Sequence, residues 1–273
     1  MQRSSGHLAR PDASLYYEVT GEGPAIVFAH GLGGNHLSWW QQVPEFAPRH
    51  SCVTFAHRGF PPSSGEGAYR HPDDLAALMD HLELERAVLV CQSMGGWTGL
   101  EYALAQPKRV AALLMASTSG TVDYRKLGLK DLDAWLASAA LRMADQVKRG
   151  VSVAAGERMA SEQPGLHGLY SGISALLPAA RREAIRAELM RLRNRPPEIL
   201  AALKMPVLWI TGDEDLVFPP QARPELAKRT PGARHIGVPQ AGHSVYFERP
   251  DTFNGALRGL LELSAAGARA ASG

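Results

Sequence analysis

Short apolar runs alternate with longer stretches of helical period along most of the chain. Ala25–Ala29 (AIVFA), Cys52–Ala56 (CVTFA), Ala87–Cys91 (AVLVC), Ala111–Met115 (AALLM) and Val207–Thr211 (VLWIT) are continuously apolar and end at turn-forming or polar residues. Runs of this kind read as strands buried on both faces, the pattern of a parallel sheet. Arg234–Val238 reads as one more short strand. Between these runs, Leu75, Leu78, Met79 and Leu82 recur at helical spacing, as do Leu100, Ala103 and Leu104. The alternation of strand and helix predicts an α/β fold built on a doubly wound, mostly parallel sheet.

The rhythm changes between Gly120 and Leu203, where no strand pattern appears. Leu132, Trp135, Leu136, Ala139, Ala140 and Met143 share one helical face. Ile173, Leu176 and Leu177 begin a second, and Ile185, Leu189 and Leu192 a third. Gly150, Gly156, Pro164–Gly165 and Pro178 punctuate the stretch. The pattern predicts three or four helices inserted between two strands, covering the strand ends as a cap. The expected organisation is a core of residues 1–119 and 201–273 with a helical cap over 120–200. The tail 264–273 is small and polar and is expected to fray.

Composition narrows the partners. The chain has 273 residues, enough to bury a sizeable core without staples. Its formal net charge is +2, from 29 basic and 27 acidic residues, which gives no global field for nucleic acid or an anionic membrane. Cys52 and Cys91 both fall in predicted buried strands, so a disulfide framework is not expected. The first ten residues lack an apolar signal core, and no run is long enough to span a membrane. A cytoplasmic protein acting on a small molecule is the expectation. No Walker loop, Cys/His cluster or dinucleotide fingerprint appears, so neither a metal nor a cofactor is expected.

The most informative stretch runs from Val88 to Trp97, VLVCQSMGGW. A buried strand passes directly into a helix with Ser93 at the turn. So tight a turn strains its central residue and demands small neighbours, which Gly95 and Gly96 supply. The Ser93 hydroxyl would then project at a helix N-terminus, where free N–H groups favour a forming oxyanion. A simple helix N-cap is the plainer role for such a serine. A nucleophilic serine needs a base, and the base needs an orienting carboxylate. Asp213 and Asp215 follow the strand Val207–Thr211, and His243 follows Arg234–Val238, so all three roles fall at strand carboxyl ends.

Cys91-Gln92-Ser93-Met94-Gly95 resembles the Gly-x-Ser-x-Gly elbow of α/β-hydrolases, with Cys91 in place of the first glycine. Asp215 falls at the acid position of the family's Gly-x-x-Asp-x-x-x-Pro pattern, while Asp213 suits turn capping. The order Ser93, Asp215, His243 is the order of that family. His30-Gly31-Leu32-Gly33-Gly34 resembles the family's oxyanion loop, which implies that the backbone N–H groups of Leu32 and Met94 receive the oxyanion. His30 is expected to be a structural hydrogen-bonder and Trp39 a core or pocket-wall residue. His57-Arg58-Gly59 stands where relatives carry Asp-x-Arg-Gly. That puts His57 either in a loop with altered hydrogen bonding or beside the substrate. The resemblance covers about Leu15 to Leu263.

The resemblance implies a serine hydrolase that cleaves an ester, lactone or related acyl bond of a small to medium hydrophobic substrate through an acyl-enzyme. Trp135 and Met143 are candidate cap residues lining the pocket. Hydrolysis of a carbon–carbon bond in a diketone-like acid uses the same triad and stays open. So do the non-hydrolytic members of the fold: lyases, cofactor-free oxygenases and ligand receptors. Haloalkane dehalogenases and epoxide hydrolases carry aspartate at the nucleophile position, so Ser93 argues against both. Arg181–Arg195 holds six arginines against two glutamates and is expected to form mostly the solvated face of a cap helix, an anchor for a substrate anion being the lesser reading.

Overall fold

Eight strands form one sheet, and every run predicted as a strand lies in it. In chain order they are β1 (Arg3–Arg10), β2 (Ala13–Thr20), β3 (Ala25–Ala29), β4 (Ser51–Phe55), β5 (Ala87–Gln92), β6 (Val110–Ala116), β7 (Val207–Gly212) and β8 (Arg234–Val238). This is a computed structural model, and it describes residues 2–272. The spatial order is β1-β2-β4-β3-β5-β6-β7-β8. Strands β3 to β8 pair in parallel, and the β1–β2 hairpin adds antiparallel at the β4 edge.

That hairpin is absent from the sequence reading. Most of β1 is exposed and polar, so it carries no apolar run. Its eight-residue ladder with β2 turns at Pro11-Asp12, a turn dipeptide that is the one local signal for it.

Alternation along the buried strands divides the core in two. Val27, Ala29, Leu89 and Cys91 face one side, where α2 (His71–His81), α3 (Gly95–Ala105) and α8 (Ala222–Arg229) pack. Ile26, Phe28, Val88 and Val90 face the other, against α10 (Pro250–Ser272), which contributes Phe253, Leu257 and Leu260. Each buried valine, leucine, isoleucine or phenylalanine among them contributes about 1.5–3 kcal/mol relative to exposure. Cys52 and Cys91 are free and buried on opposite faces, with β3 between their strands. The expected fraying of the tail is not what the structure shows. The small residues after Ser264 extend α10 to Ser272, in keeping with the high helix propensity of alanine. Gly273 lies outside the described residues. Among these residues no helix is long and apolar enough to cross a membrane.

Between β6 and β7 the described residues form no strand. They form four helices, α4 (Leu132–Lys148), α5 (Glu157–Glu162), α6 (Pro164–Ala175) and α7 (Ala179–Leu192). The chain leaves and returns side by side. Arg195 N–H donates to Thr121 O at 3.0 Å, and Asp123 N–H donates to Arg195 O at 3.0 Å.

The order of strands locates the site. From β3 the chain winds outward to β4, then crosses back to β5 on the other side of β3. The carboxyl ends of β3 and β5 therefore flank a topological switch point, where open α/β sheets leave a crevice for ligands. The loop after β3 carries Leu32, and the turn after β5 carries Ser93.

Candidate active site

Ser93 occupies the left-handed region at φ 48°, a conformation that costs a non-glycine residue energy and persists only when its surroundings enforce it. Its N–H donates to Ala116 O at 2.9 Å, which docks the turn on the end of β6. A Cβ on Gly95 would lie 2.1 Å from the backbone oxygen of Ala29, so only glycine lets α3 approach β3 this closely. One turn further on, a Cβ on Gly99 would lie 2.3 Å from Cys91 Sγ. Cys91 thus fits where relatives carry glycine because Gly99 leaves room for its sulfur.

Asp215 and His243 meet behind the cavity. His243 Nδ1 lies 3.0 Å from Asp215 Oδ1 and 2.9 Å from Oδ2. A carboxylate can only accept, so the ring proton sits on Nδ1, and Nε2 is left as the basic nitrogen. Oδ1 also accepts the N–H groups of Val217 and Phe218, at 2.8 and 2.9 Å, which fixes the carboxylate plane. Asp213 is turned away and pairs with Arg223 at 3.2 Å, half exposed.

The histidine loop is held from below by Glu248, which lies at the end of α9 (Val245–Glu248). Its Oε2 accepts from Gly242 N–H at 2.7 Å and its Oε1 from Ser244 N–H at 3.0 Å. Burial pushes its carboxyl up to about 7, and the nearby Asp215 adds to the shift. Sequence reasoning did not single out Glu248. Gln92 links the loops, since its Nε2 donates to His243 O at 3.3 Å and its side-chain oxygen packs where a Gly31 Cβ would be.

The loop after β3 closes over Ser93. A Cβ on Gly31 would sit 3.2 Å from Ser93 Cβ, so the backbone of this loop runs directly beside the serine. Among the described residues, neither the N–H of Leu32 nor that of Met94 has a protein acceptor. His30 serves structure: Nδ1–H donates to Gly31 O at 2.8 Å, and Nε2 accepts from His57 N–H at 3.0 Å. Burial holds it neutral, its pKa lowered to about 3. Trp39 is a fully buried core residue against Phe28 and Tyr246.

Ser93 and His243 share a cavity of about 300 Å³. Met143 lines it, together with Leu32, Met94, Trp97, Tyr124, Leu189 and Val217. Two candidates fall outside it. His57 is turned into the core, stacked on His71 at 4.5 Å and edge-on to Phe55 at 4.7 Å. Trp135 is half-buried on α4, about 12 Å along the axis from Met143, and is not among the residues lining the cavity. The helical segment also touches the histidine loop. Ser244 Oγ donates to Ala154 O at 2.5 Å and lies 3.2 Å from Tyr170 Oη. A wider groove of about 420 Å³ lies across Trp97 near Tyr69, Glu101 and Arg195; it contains neither Ser93 nor His243. Among the described residues, no group of three or more His, Cys, Asp or Glu side chains could hold a metal ion.

The strand order, the strained turn after β5 and the loop order are those of one family. Residues 26–256 match the family model described as the alpha/beta hydrolase family. The chain belongs to that family. A Mycobacterium tuberculosis protein provisionally named non-heme bromoperoxidase BpoC is 27% identical over 252 residues, covering 89% of this chain and 96% of that protein. The 3-oxoadipate enol-lactonase 2 of Acinetobacter baylyi is 26% identical over 275 residues, covering 92% and 96%. Among solved structures, Est816, an N-acyl homoserine lactone degrading enzyme, superposes with a TM-score of 0.76 at 26% identity. That match covers 93% of this chain and 99% of Est816.

Proposed function

We propose that this chain is a serine hydrolase of ester or lactone bonds, with Ser93 as nucleophile, His243 as base and Asp215 as the orienting acid. The single observation that carries the reading is the grip of Asp215 on His243 Nδ1, at 3.0 and 2.9 Å, with His243 opening on the same cavity as the strained Ser93. His243 Nε2 takes the Ser93 proton as Oγ attacks the carbonyl carbon. The N–H groups of Leu32 and Met94 receive the oxyanion, each such donor contributing about 3 kcal/mol to the transition state. The imidazolium returns the proton to the leaving oxygen. A water then attacks the acyl-enzyme, giving its proton to His243, which passes it to Ser93 Oγ as the acid leaves. Helices α4–α7 act as a cap over this site, with Met143 on its inner wall. The lactones named for the enol-lactonase and for Est816 support the lactone part of this bond class.

Fluorophosphonate labelling tests the nucleophile. Wild type is expected to label and Ser93→Ala not, at equal folding. Persistent labelling of Ser93→Ala, or a wild type that neither labels nor turns over simple acyl esters, would falsify the assignment.

A further inference from the structure

The arginines of the 181–195 run are not one solvated face. Arg181 pairs with Glu66 and donates to Gly65 O, and Arg195 forms a two-pronged pair with Glu101, so both tie the helical segment to the core. Arg186 pairs with the exposed Glu183 on its own helix. Glu188, the other acid of α7, accepts from the backbone N–H groups of Ala68 and Tyr69 at 3.0 and 3.2 Å. Arg182 and Arg193 have no carboxylate partner among the described residues.

These two, with Arg186, line the cavity that holds Ser93 and His243, and no aspartate or glutamate lines it. Helical geometry explains why. Residues 182, 185, 186, 189 and 193 recur at three- and four-residue steps, so these arginines share the stripe of α7 on which Ile185 and Leu189 are buried. Arg193 lies at the end of that stripe. Its guanidinium carbon is 5.2 Å from the Trp97 ring centroid and 4.8 Å from that of Tyr124, and its buried Nε has no hydrogen-bond partner. Burial lowers its pKa, yet a guanidinium remains charged at neutral pH. Arg182 donates to Ser174 O and, at 2.9 Å, to Leu177 O, but its Nε is likewise buried and unsatisfied. Both side chains are partly buried, and a partly desolvated cation without a counter-charge favours an anion that enters beside it. Flanked by the two rings, and with one Nη donating to Met190 Sδ at 3.3 Å, Arg193 keeps the rest of its donor edge for a ligand, a fork that matches a planar carboxylate.

We propose that Arg193, assisted by Arg182, binds a free carboxylate carried by the substrate. The enzyme then acts on a half-ester or carboxylated lactone of a small dicarboxylic acid, and neutral esters are poor substitutes. This rests on the serine-hydrolase reading and names the substrate class of the same site.

The test is a matched pair of aryl esters of succinate, glutarate and adipate, each with its far carboxyl free or capped as the methyl ester. The quantity read is the ratio of kcat/KM, free to capped, at the best chain length. For wild type the ratio is expected to exceed about tenfold, and Arg193→Gln is expected to lower it by about 10- to 100-fold, the worth of a charge-assisted hydrogen-bonded pair. Arg193→Lys, which keeps the charge without the fork, should fall between, and Arg182→Gln should show a smaller drop. A second measurement does not need turnover: calorimetric binding of monomethyl glutarate to Ser93→Ala, against dimethyl glutarate. The free acid is expected to bind more tightly, and Arg193→Gln is expected to abolish the difference. A wild-type ratio near one, or a ratio unchanged by both arginine substitutions, overturns the anchor while leaving the nucleophile standing. Selective binding without any turnover sinks the hydrolase reading and keeps the anchor. Competitive inhibition by inorganic phosphate stronger than that by glutarate overturns the carboxylate class.

Discussion

Glu248 holds the backbone on both sides of His243, accepting from Gly242 N–H at 2.7 Å and from Ser244 N–H at 3.0 Å. The base is thus oriented twice: its ring by Asp215, its peptide by a second buried carboxyl. Burial raises that carboxyl from 4.5 to about 7 in the folded state. The native protein therefore holds this proton more tightly than the unfolded chain does. The stability that follows is fully present below the unfolded value and is lost as pH rises through about 7. Urea unfolding at about pH 5 and about pH 8 should show a larger decline across this range for wild type than for Glu248→Gln, by up to a few kcal/mol. Parallel curves for the two proteins would show that Glu248 does not titrate here.

His30, His57 and His71 produce the opposite slope. Burial lowers all three, His30 to about 3 and His71 to about 4. The unfolded chain takes up these protons first, so their contribution is present above about 6.5 and is lost on acidification toward those folded values. Neither ring nitrogen of His57 has a hydrogen-bond partner, so His57→Phe sacrifices no bond. It should unfold at lower pH than wild type and keep kcat/KM within about twofold, since surface and core changes that touch no substrate leave the transition state alone. A tenfold loss of activity in a folded His57→Phe would place His57 back at the substrate.

The two aspartates after β7 should separate cleanly. Asp215→Asn leaves the geometry in place but presents the wrong hydrogen-bonding partner to Nδ1, and kcat should fall by roughly four orders of magnitude. Asp213→Asn loses only an exposed ion pair with Arg223, worth about 0–1 kcal/mol, with activity near wild type. Steady-state kinetics on a simple ester decides between them; equal losses in both would contradict the arrangement.

Gly95 and Gly31 predict different failures. A methyl at Gly95 meets the Ala29 backbone oxygen at 2.1 Å, which cannot step aside, so Gly95→Ala should lower the melting temperature markedly, at about 2 kcal/mol or more. A methyl at Gly31 meets the end of the Gln92 side chain at 1.9 Å and then Ser93 Cβ at 3.2 Å. Gln92 can rotate, so Gly31→Ala should keep most of its stability. It should lose kcat instead, as the Leu32 N–H moves off the oxyanion position. Thermal melts beside kinetics check the contrast, and the same pattern in both variants would refute it.

The parallel strands, the serine turn and the order Ser93, Asp215, His243 are legible in the sequence itself. Buried parallel strands must be apolar on both faces, and a turn tight enough to strain a serine must have glycine beside it. Those requirements are local, so they leave local marks. The β1–β2 hairpin left almost none, because a mostly exposed strand has no apolar run to betray it. The resemblance already assigns the acid role to Asp215 over Asp213, but the grip of its carboxylate on His243 Nδ1, with Asp213 turned to Arg223, is a tertiary relation that local spacing does not carry. The same holds for Glu248, His57 and Trp135. Arg182 and Arg193 share a helical stripe with Ile185 and Leu189 that is readable as a pattern, yet only the docking of α7 on α3 and on the 68–70 turn, through Trp97 Nε1 to Leu189 O and the Ala68 and Tyr69 N–H groups to Glu188, set that stripe over the cavity of Ser93. Local spacing can name the reacting groups; which charges line the cavity above them is set by packing between segments far apart in the chain.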